Sequence, residues 1–374
     1  MVGADQQLPL PWLAGPLADA LRTQQAHALL VYGPAGVGQF ELSLTLAQAW
    51  LCEGVEPAPK PCGRCVSCRL VQARTHPDLL VLLPEALQES LGWGFEETSA
   101  KASKAKPSKE VKVEAVRAAV NFAQATSSRG RLKVVVIYPA ERMNGISANT
   151  LLKTLEEPPG VTRFILGCGA PDTLLPTIRS RCQALHMALP EAAVASDWLA
   201  AQGVAKPDVL LRAAGGQPLE ALAWSQDGVD AATWAKLPAL VAAGVTVPLA
   251  TWPLPRSIDA LQKLCHDALL VAFGEAPRYF PPDSIEPGAS APALLAWSKV
   301  LSQAARSADH PWNAGLMVES LVEQGRHAMA HRPGSAAAGD GDVDGSGDGR
   351  RDERPVDRTA RGSSGRGDSV NSFR

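Results

Sequence analysis

Four of the seven cysteines stand close together: Cys52, then nine residues, then Cys62-x-x-Cys65-x-x-Cys68. Three thiolates three residues apart, on a turn eased by Gly63, can converge on one ion. Cys52, at the end of a preceding helix, can complete a tetrahedral set. Four sulfur ligands leave no open coordination position, so the chemistry implied is a structural Zn²⁺ site in which metal binding stabilises a small module. An iron–sulfur cluster is the main competitor. The ferredoxin run wants a further cysteine three residues downstream followed by proline, and Leu70 to Thr75 contains none. Four unrelated thiols are the plain alternative. Cys168, Cys182 and Cys265 read as ordinary packed thiols.

A second constellation is incomplete. Val31-Tyr-Gly-Pro-Ala-Gly-Val-Gly-Gln-Phe-Glu41 has the glycine spacing of the phosphate-cradling loop G-x-x-x-x-G-K-[ST], with Gly33 and Gly38 in place. Gln39 stands where the lysine reaches the β- and γ-phosphates, and Phe40 where a hydroxyl holds Mg²⁺. Tyr138-Pro-Ala-Glu141 shows a second loss. An ATPase would place a metal-organising acid directly after the strand, and Glu141 comes several residues further on. No ATP is expected at this chain's own site.

Other charged groups carry less. Glu156 and Glu157 read as helix-surface and packing positions, because nothing nearby supplies a nucleophile or a metal. Arg129, Arg131 and Lys133 could meet a nucleic-acid phosphate, but three charges near a turn read as a solvated edge, and no site is assigned to them. Arg179 and Arg181, on spacing alone, read as helix caps or partners of surface carboxylates.

The elements that must position these residues alternate between strand and helix. Apolar runs at His27–Tyr32 and Lys133–Tyr138 predict buried strands, and Asp78–Leu83, Arg163–Gly167 and Gln183–Met187 predict further strands. Helical periodicity covers Phe40–Leu51 and Val111–Ala123, and a further helix over Asn149–Glu157 must stop at Pro158-Pro159. This alternation predicts a parallel α/β sheet. The first strand, loop and helix supply the context a phosphate loop requires. Glu85 to Lys109 is polar and reads as an exposed loop. From Pro190 the pattern turns helical, first in short helices to about Ala243, then over Ile258–Phe273 and Ala291–Glu323. The residues from Pro333 are Gly, Ser, Asp and Arg with almost no large apolar side chains, which predicts a disordered tail.

A chain of 374 residues, 46% hydrophobic, can bury substantial cores, and its formal charge of −2 gives no whole-protein attraction to nucleic acid or anionic lipid. The longest charge-free apolar run, between Lys236 and Arg256, holds Pro238, Gly244, Pro248, Pro253 and Pro255, which would break a membrane-spanning helix. The opening residues lack the basic and apolar regions of a signal peptide. An odd number of cysteines argues against a secreted disulfide framework, so the expected compartment is the cytoplasm.

One block is more specific than any of these. Ala148-Asn-Thr-Leu-Leu-Lys-Thr-Leu-Glu-Glu-Pro-Pro159, followed by Thr177-Ile-Arg-Ser-Arg-Cys182, resembles the signature of the clamp-loader AAA+ family. With the degraded loop and the four cysteines after the first helix, the resemblance is to the delta-prime family of bacterial DNA polymerase III. It spans roughly residues 8–330 and is strongest over 27–187.

The resemblance implies an AAA+ α/β domain over 1–189 with the zinc module at 52–68. It also implies a helical lid over 190–250 and a helical collar for oligomerisation over 251–332, with 333–374 as tail. It further implies a non-hydrolysing subunit of a hetero-oligomeric loader that places the sliding clamp on primed DNA. Its partners would be ATP-binding gamma/tau-type and delta-type subunits, the clamp, and primer-template DNA through the assembly, with no membrane involved. Arg181 would be donated in trans to a neighbour's ATP site. No independent catalysis is expected from the chain, although it would be part of a DNA-directed DNA polymerase holoenzyme. The departures are the long 88–109 stretch, the tail, and Gly167-Cys168-Gly169 where ATP-using relatives place a polar sensor. The rivals are a P-loop ATPase with a divergent site and a free-standing zinc-dependent DNA-binding protein.

Overall fold

Five short apolar segments become strands β1 (Ala28–Tyr32), β2 (Leu79–Leu82), β3 (Lys133–Ile137), β4 (Thr162–Cys168) and β5 (Gln183–His186) in the computed structural model. The model describes residues 1–23, 26–55, 60–93, 107–308 and 313–330. All strand pairings are parallel, in the order β2-β3-β4-β1-β5. This is the parallel α/β sheet that the strand–helix alternation predicts.

The two-residue period of the strands divides their side chains between two cores. Leu29, Val31, Val134, Val136 and Ile165 face the helices Ala14–Thr23 and Gln39–Leu51. Leu30, Val135, Ile137, Phe164 and Leu166 face the helices Val113–Gln124 and Gly145–Glu156. Burial on both faces explains why β3 reads as an unbroken apolar run. Each large side chain removed from water there contributes about 1.5–3 kcal/mol before ordering costs. The loops that follow β1, β3 and β4 gather at the carboxyl edge of the sheet, where open α/β sheets hold ligands.

The helix expected over Asn149–Glu157 begins earlier than its apolar pattern. Gly145–Glu156 is capped by Asn144, which accepts from the Ser147 N–H at 2.9 Å, and it ends before Pro158-Pro159. Glu85–Gln88, expected as loop, forms a single helical turn, while residues 94–106 of that stretch lie outside the described residues. The expected Ala291–Glu323 helix is two helices, Ala291–Arg306 and Ala314–Met329. Asn313 starts the second by accepting from the Leu316 N–H at 3.2 Å.

Residues Ala195 to Ala328 contribute to one continuous apolar cluster, centred on Trp224, Trp234 and Phe280. Trp234 and Phe280 stack at 4.4 Å and 8°. Among the described residues no helix is long and apolar enough to cross a membrane. The tail expected from Pro333 lies outside the described residues.

Candidate functional site

The cysteine group closes around a point. Cys52 caps the carboxyl end of the Gln39–Leu51 helix, and Cys65 caps the amino end of the Val66–Gln72 helix. All four Sγ atoms lie within 4.8 Å of one another. The pairs Cys52–Cys65 and Cys62–Cys68 are each 4.0 Å apart. A zinc ion with Zn–S bonds of about 2.3 Å sets its tetrahedral sulfurs about 3.8 Å apart. The set therefore fits one ion and is too tight to wrap a cluster of several irons.

Backbone N–H groups aim at the sulfurs as well. Gly54 and Cys62 donate to Cys52 Sγ at 3.3 and 3.4 Å, Cys65 donates to Cys62 Sγ at 3.4 Å, and Cys68 to Cys65 Sγ at 3.3 Å. Such donors stabilise thiolate over thiol. Burial pushes the Cys52 and Cys68 thiols up. Burial also opposes ionisation of Cys62, but the donors from Arg64 and Cys65 and the neighbouring thiols outweigh it and bring Cys62 down to about 6.

His76 is near but is not a ligand. Its Nδ1 accepts from the Asp78 N–H at 3.0 Å, so Nε2–H faces Ser67 Oγ at 2.7 Å, and Ser67 donates to the Leu51 carbonyl at 2.7 Å. This chain ties the cysteine module to the end of the helix that begins at the glycine-rich loop.

That loop is closed on itself. Gln39, 1% exposed, donates from Nε2 to the carbonyls of Gly33 (2.9 Å) and Pro34 (2.6 Å). Trp12 Nε1 donates to the Val37 carbonyl at 2.7 Å, and the Leu219 N–H, from the helical layer, donates to the Gly36 carbonyl at 3.1 Å. Four of the loop's carbonyls are thus held by this chain's own donors. Phe40 turns into an apolar pocket with Leu44 and Leu83 and packs on Tyr138, ring centroids 5.2 Å apart. Glu141 reaches back to the mouth of the loop. Its Oε1 accepts from the Gly169 N–H at 2.9 Å, and its buried Oε2 has no hydrogen-bond partner among the described residues.

Arg181 sits between the short helix Pro176–Arg179 and β5, at the opposite end of the sheet from this loop. Its Nε donates to Glu156 Oε1 at 2.6 Å, Nη2 donates to the same oxygen, and Nη1 donates to the Thr177 carbonyl at 2.9 Å. Arg179 pairs with the exposed Asp172 at 3.4 Å.

Comparison with known proteins bears on this arrangement. The family model described as DNA polymerase III, delta subunit, matches residues 16–191. The delta-prime subunit of DNA polymerase III from Pseudomonas aeruginosa is 40% identical over 212 residues, 56% of this chain and 58% of that protein. The delta-prime subunit from Escherichia coli K12 is 35% identical over 223 residues, 58% of this chain and 60% of that protein. Over this segment the chain is similar to the delta-prime subunits of DNA polymerase III.

The chain spans about three-fifths of the length of these delta-prime relatives. The tau subunit of Escherichia coli K12 is 32% identical over 162 residues, 43% of this chain and 21% of that protein. Among solved structures, a DNA polymerase III gamma subunit-related protein from Thermotoga maritima aligns with 84% of this chain and 99% of its own. Its identity is 14% and its TM-score 0.43.

One reading of charge needs correction and another needs completing. Glu156 is at the helix surface, as expected, and is in addition the ion-pair partner of Arg181. Lys133, expected on a solvated edge, is 4% exposed, 3.4 Å from the buried Asp78 and over the Phe122 ring. Its neighbours are engaged too: Arg129 pairs with Glu53 at 2.7 Å, and Arg131 donates to the Cys52 carbonyl. Asp78 organises this corner by accepting from Ser127 Oγ and the N–H groups of Ser128 and Arg129. Burial opposes its ionisation, yet these donors and Lys133 hold the carboxyl below its usual range. Nothing in local spacing links residues 78 and 127–133; the turn before β3 brings them together.

Proposed function

We propose that this chain is a non-hydrolysing subunit of the DNA polymerase III clamp loader, working in the cytoplasm to help place the sliding clamp on primed DNA. It would donate Arg181 in trans to a neighbouring subunit's ATP site. Its partners would be ATP-binding subunits of the gamma/tau type and a delta-type subunit, with clamp and primer-template DNA reached through the assembly. The division into α/β domain (1–189), lid (190–250) and collar (251–332) belongs to the same reading, as does a zinc ion held by Cys52, Cys62, Cys65 and Cys68. That ion would fix the module's shape, with no position left for substrate.

The observation that carries the proposal is the closure of the loop by Gln39, with Phe40 turned into an apolar pocket. The place of the lysine is spent on the loop's own carbonyls, and the place of the hydroxyl is filled by a ring. Arg181 complements it. Register pairs Gln183 with Leu29 and His186 with Tyr32, so Arg181 is separated from its own loop by the length of β1. That is about 13 Å at 3.3 Å per residue. A guanidinium there can serve a phosphate only across an interface. It is always charged and forked, suited to neutralising charge that develops on a transferring phosphoryl group, an effect worth about 10³–10⁵ in rate in other NTPases.

The test is DNA-stimulated ATP hydrolysis by the reconstituted loader containing this chain or its Arg181→Ala variant, with the isolated chain as blank. A silent blank and a large rate loss in an assembly that still forms are expected. An active blank, or an unchanged rate, would overturn the reading.

A further inference from the structure

The contact between Glu156 and Arg181 is oriented in a way that a casual surface pair is not. Nε and Nη2 converge on one oxygen of Glu156, while Nη1 donates to the Thr177 carbonyl and lies 3.4 Å from Ser180 Oγ. Every nitrogen of the planar fork therefore has an acceptor, and the group cannot swing about its long side chain. The second N–H of Nη2 is left without an acceptor among the described residues. The Arg181 side chain is 32% exposed, so that N–H is open to an incoming oxygen.

Glu156 is also placed against the electrostatics of its own helix. It is the last residue of Gly145–Glu156, where the exposed carbonyls carry the negative end of the helix dipole and an added carboxylate is unfavourable. An exposed ion pair contributes little to stability in return. A carboxylate at that end of the helix is better accounted for by what it holds than by what it stabilises.

We propose that Glu156 is a positioning residue for Arg181. It fixes the guanidinium so that the remaining Nη2–H is presented, pre-organised, to the γ-phosphate of the neighbouring subunit. The inference rests on the trans-arginine reading above. Glu156 touches no reacting atom, and it acts by removing the rotamer freedom that Arg181 would otherwise lose at the moment of catalysis. Misplacement of a catalytic group by about 1 Å can cost about 100-fold in rate, so partial loss of restraint should show in turnover and not in nucleotide binding.

The experiment uses the reconstituted loader with Glu156→Ala, Glu156→Gln, Arg181→Ala and the double variant Glu156→Ala/Arg181→Ala. The isolated chain is followed separately through the Arg181 Nε–H resonance. Expected are a loss of about 10-fold in kcat for Glu156→Ala with KM for ATP unchanged, and recovery to within about 3-fold by Glu156→Gln, which keeps an oxygen acceptor. No further loss should appear in the double variant beyond Arg181→Ala alone. In the isolated chain the Nε–H should exchange slowly, and faster only in Glu156→Ala.

The inference is overturned if Glu156→Ala leaves kcat unchanged or raises it, if its effect adds to that of Arg181→Ala, or if Glu156→Gln is as poor as Glu156→Ala. If Arg181→Ala itself has no effect, the trans-arginine reading fails and takes this one with it. The Nε–H exchange reports the brace independently of either outcome. An Nε–H that exchanges equally fast in all forms removes the brace even where Arg181 is needed.

Discussion

The double substitution Gln39→Lys with Phe40→Thr rewrites the loop as a complete G-x-x-x-x-G-K-T pattern. If the missing side chains were the whole of the loss, Mg-ATP binding should return. The geometry predicts that it will not. The Gly36 and Val37 carbonyls stay tied to Leu219 and Trp12, and Tyr138 still occupies the position after β3 where a metal-organising acid belongs. The acid within reach, Glu141, is engaged through Oε1 by the Gly169 N–H.

The cost of the substitution is legible as well. Phe40 is 5% exposed and packs on Leu44, Leu83 and Tyr138, so its truncation should destabilise by about 3 kcal/mol. A working site at 100 times its Kd would add about 2.7 kcal/mol. The two effects are of similar size and opposite sign, so thermal unfolding with and without 1 mM Mg-ATP separates them. The expected result is a lower Tm for the variant and no movement of that Tm with nucleotide. A saturable, Mg-dependent rise approaching the native Tm would refute the reasoning. It would show that the loop is a nucleotide site lacking two side chains rather than a closed joint.

Three further expectations follow from particular contacts. The purified chain should carry one zinc per molecule by elemental analysis, lost in Cys62→Ser along with much of the helicity of residues 66–72; absence of zinc, or visible iron–thiolate absorbance, would count against the four-sulfur zinc site. Asp78→Ala should cost about 3–5 kcal/mol in denaturant unfolding, because it strands the buried Lys133 and frees three donors, with Asp78→Asn less costly. Burial lowers the His76 pKa in the fold, so the unfolded chain takes up the proton first. The His76 contribution should be complete above about pH 6.5 and decline as pH falls through the folded value. The slope of stability against pH below 6.5 should flatten in His76→Asn.

The strands were readable because sheets covered on both faces demand unbroken apolar runs, and Lys133–Ile137 has no other economical fate. The cysteine set was readable because metal ligation imposes local spacing. Helix ends were less so: Asn144 starts its helix through one polar contact that apolar periodicity does not register. Least visible were the long-range polar contacts. The loss of lysine at Gln39 could be seen, but not that its amide would turn back on Gly33 and Pro34, nor that Leu219 would reach Gly36 from the helical layer. Glu156 was rightly read as a surface residue, but its partner, 25 positions away, could not be seen. Lys133 looked solvated because its counter-charge, Asp78, is on another strand's threshold.

These contacts bear on why a loop would survive the loss of its chemistry. A Cβ at Gly33 would stand 2.1 Å from the Met187 carbonyl oxygen, and one at Gly36, where φ is +73°, would meet the Glu220 backbone nitrogen at 3.2 Å. The first glycine lets the chain pass close to the residue after β5, and the second lets the helical layer close on the loop. Neither requirement involves phosphate. Packing alone calls for both glycines, while Gln39 and Phe40 hold the loop to itself and to the sheet. The result is a joint between the α/β sheet and the helices beyond it, a stiffness that suits the role proposed for Arg181, on the far end of the same sheet.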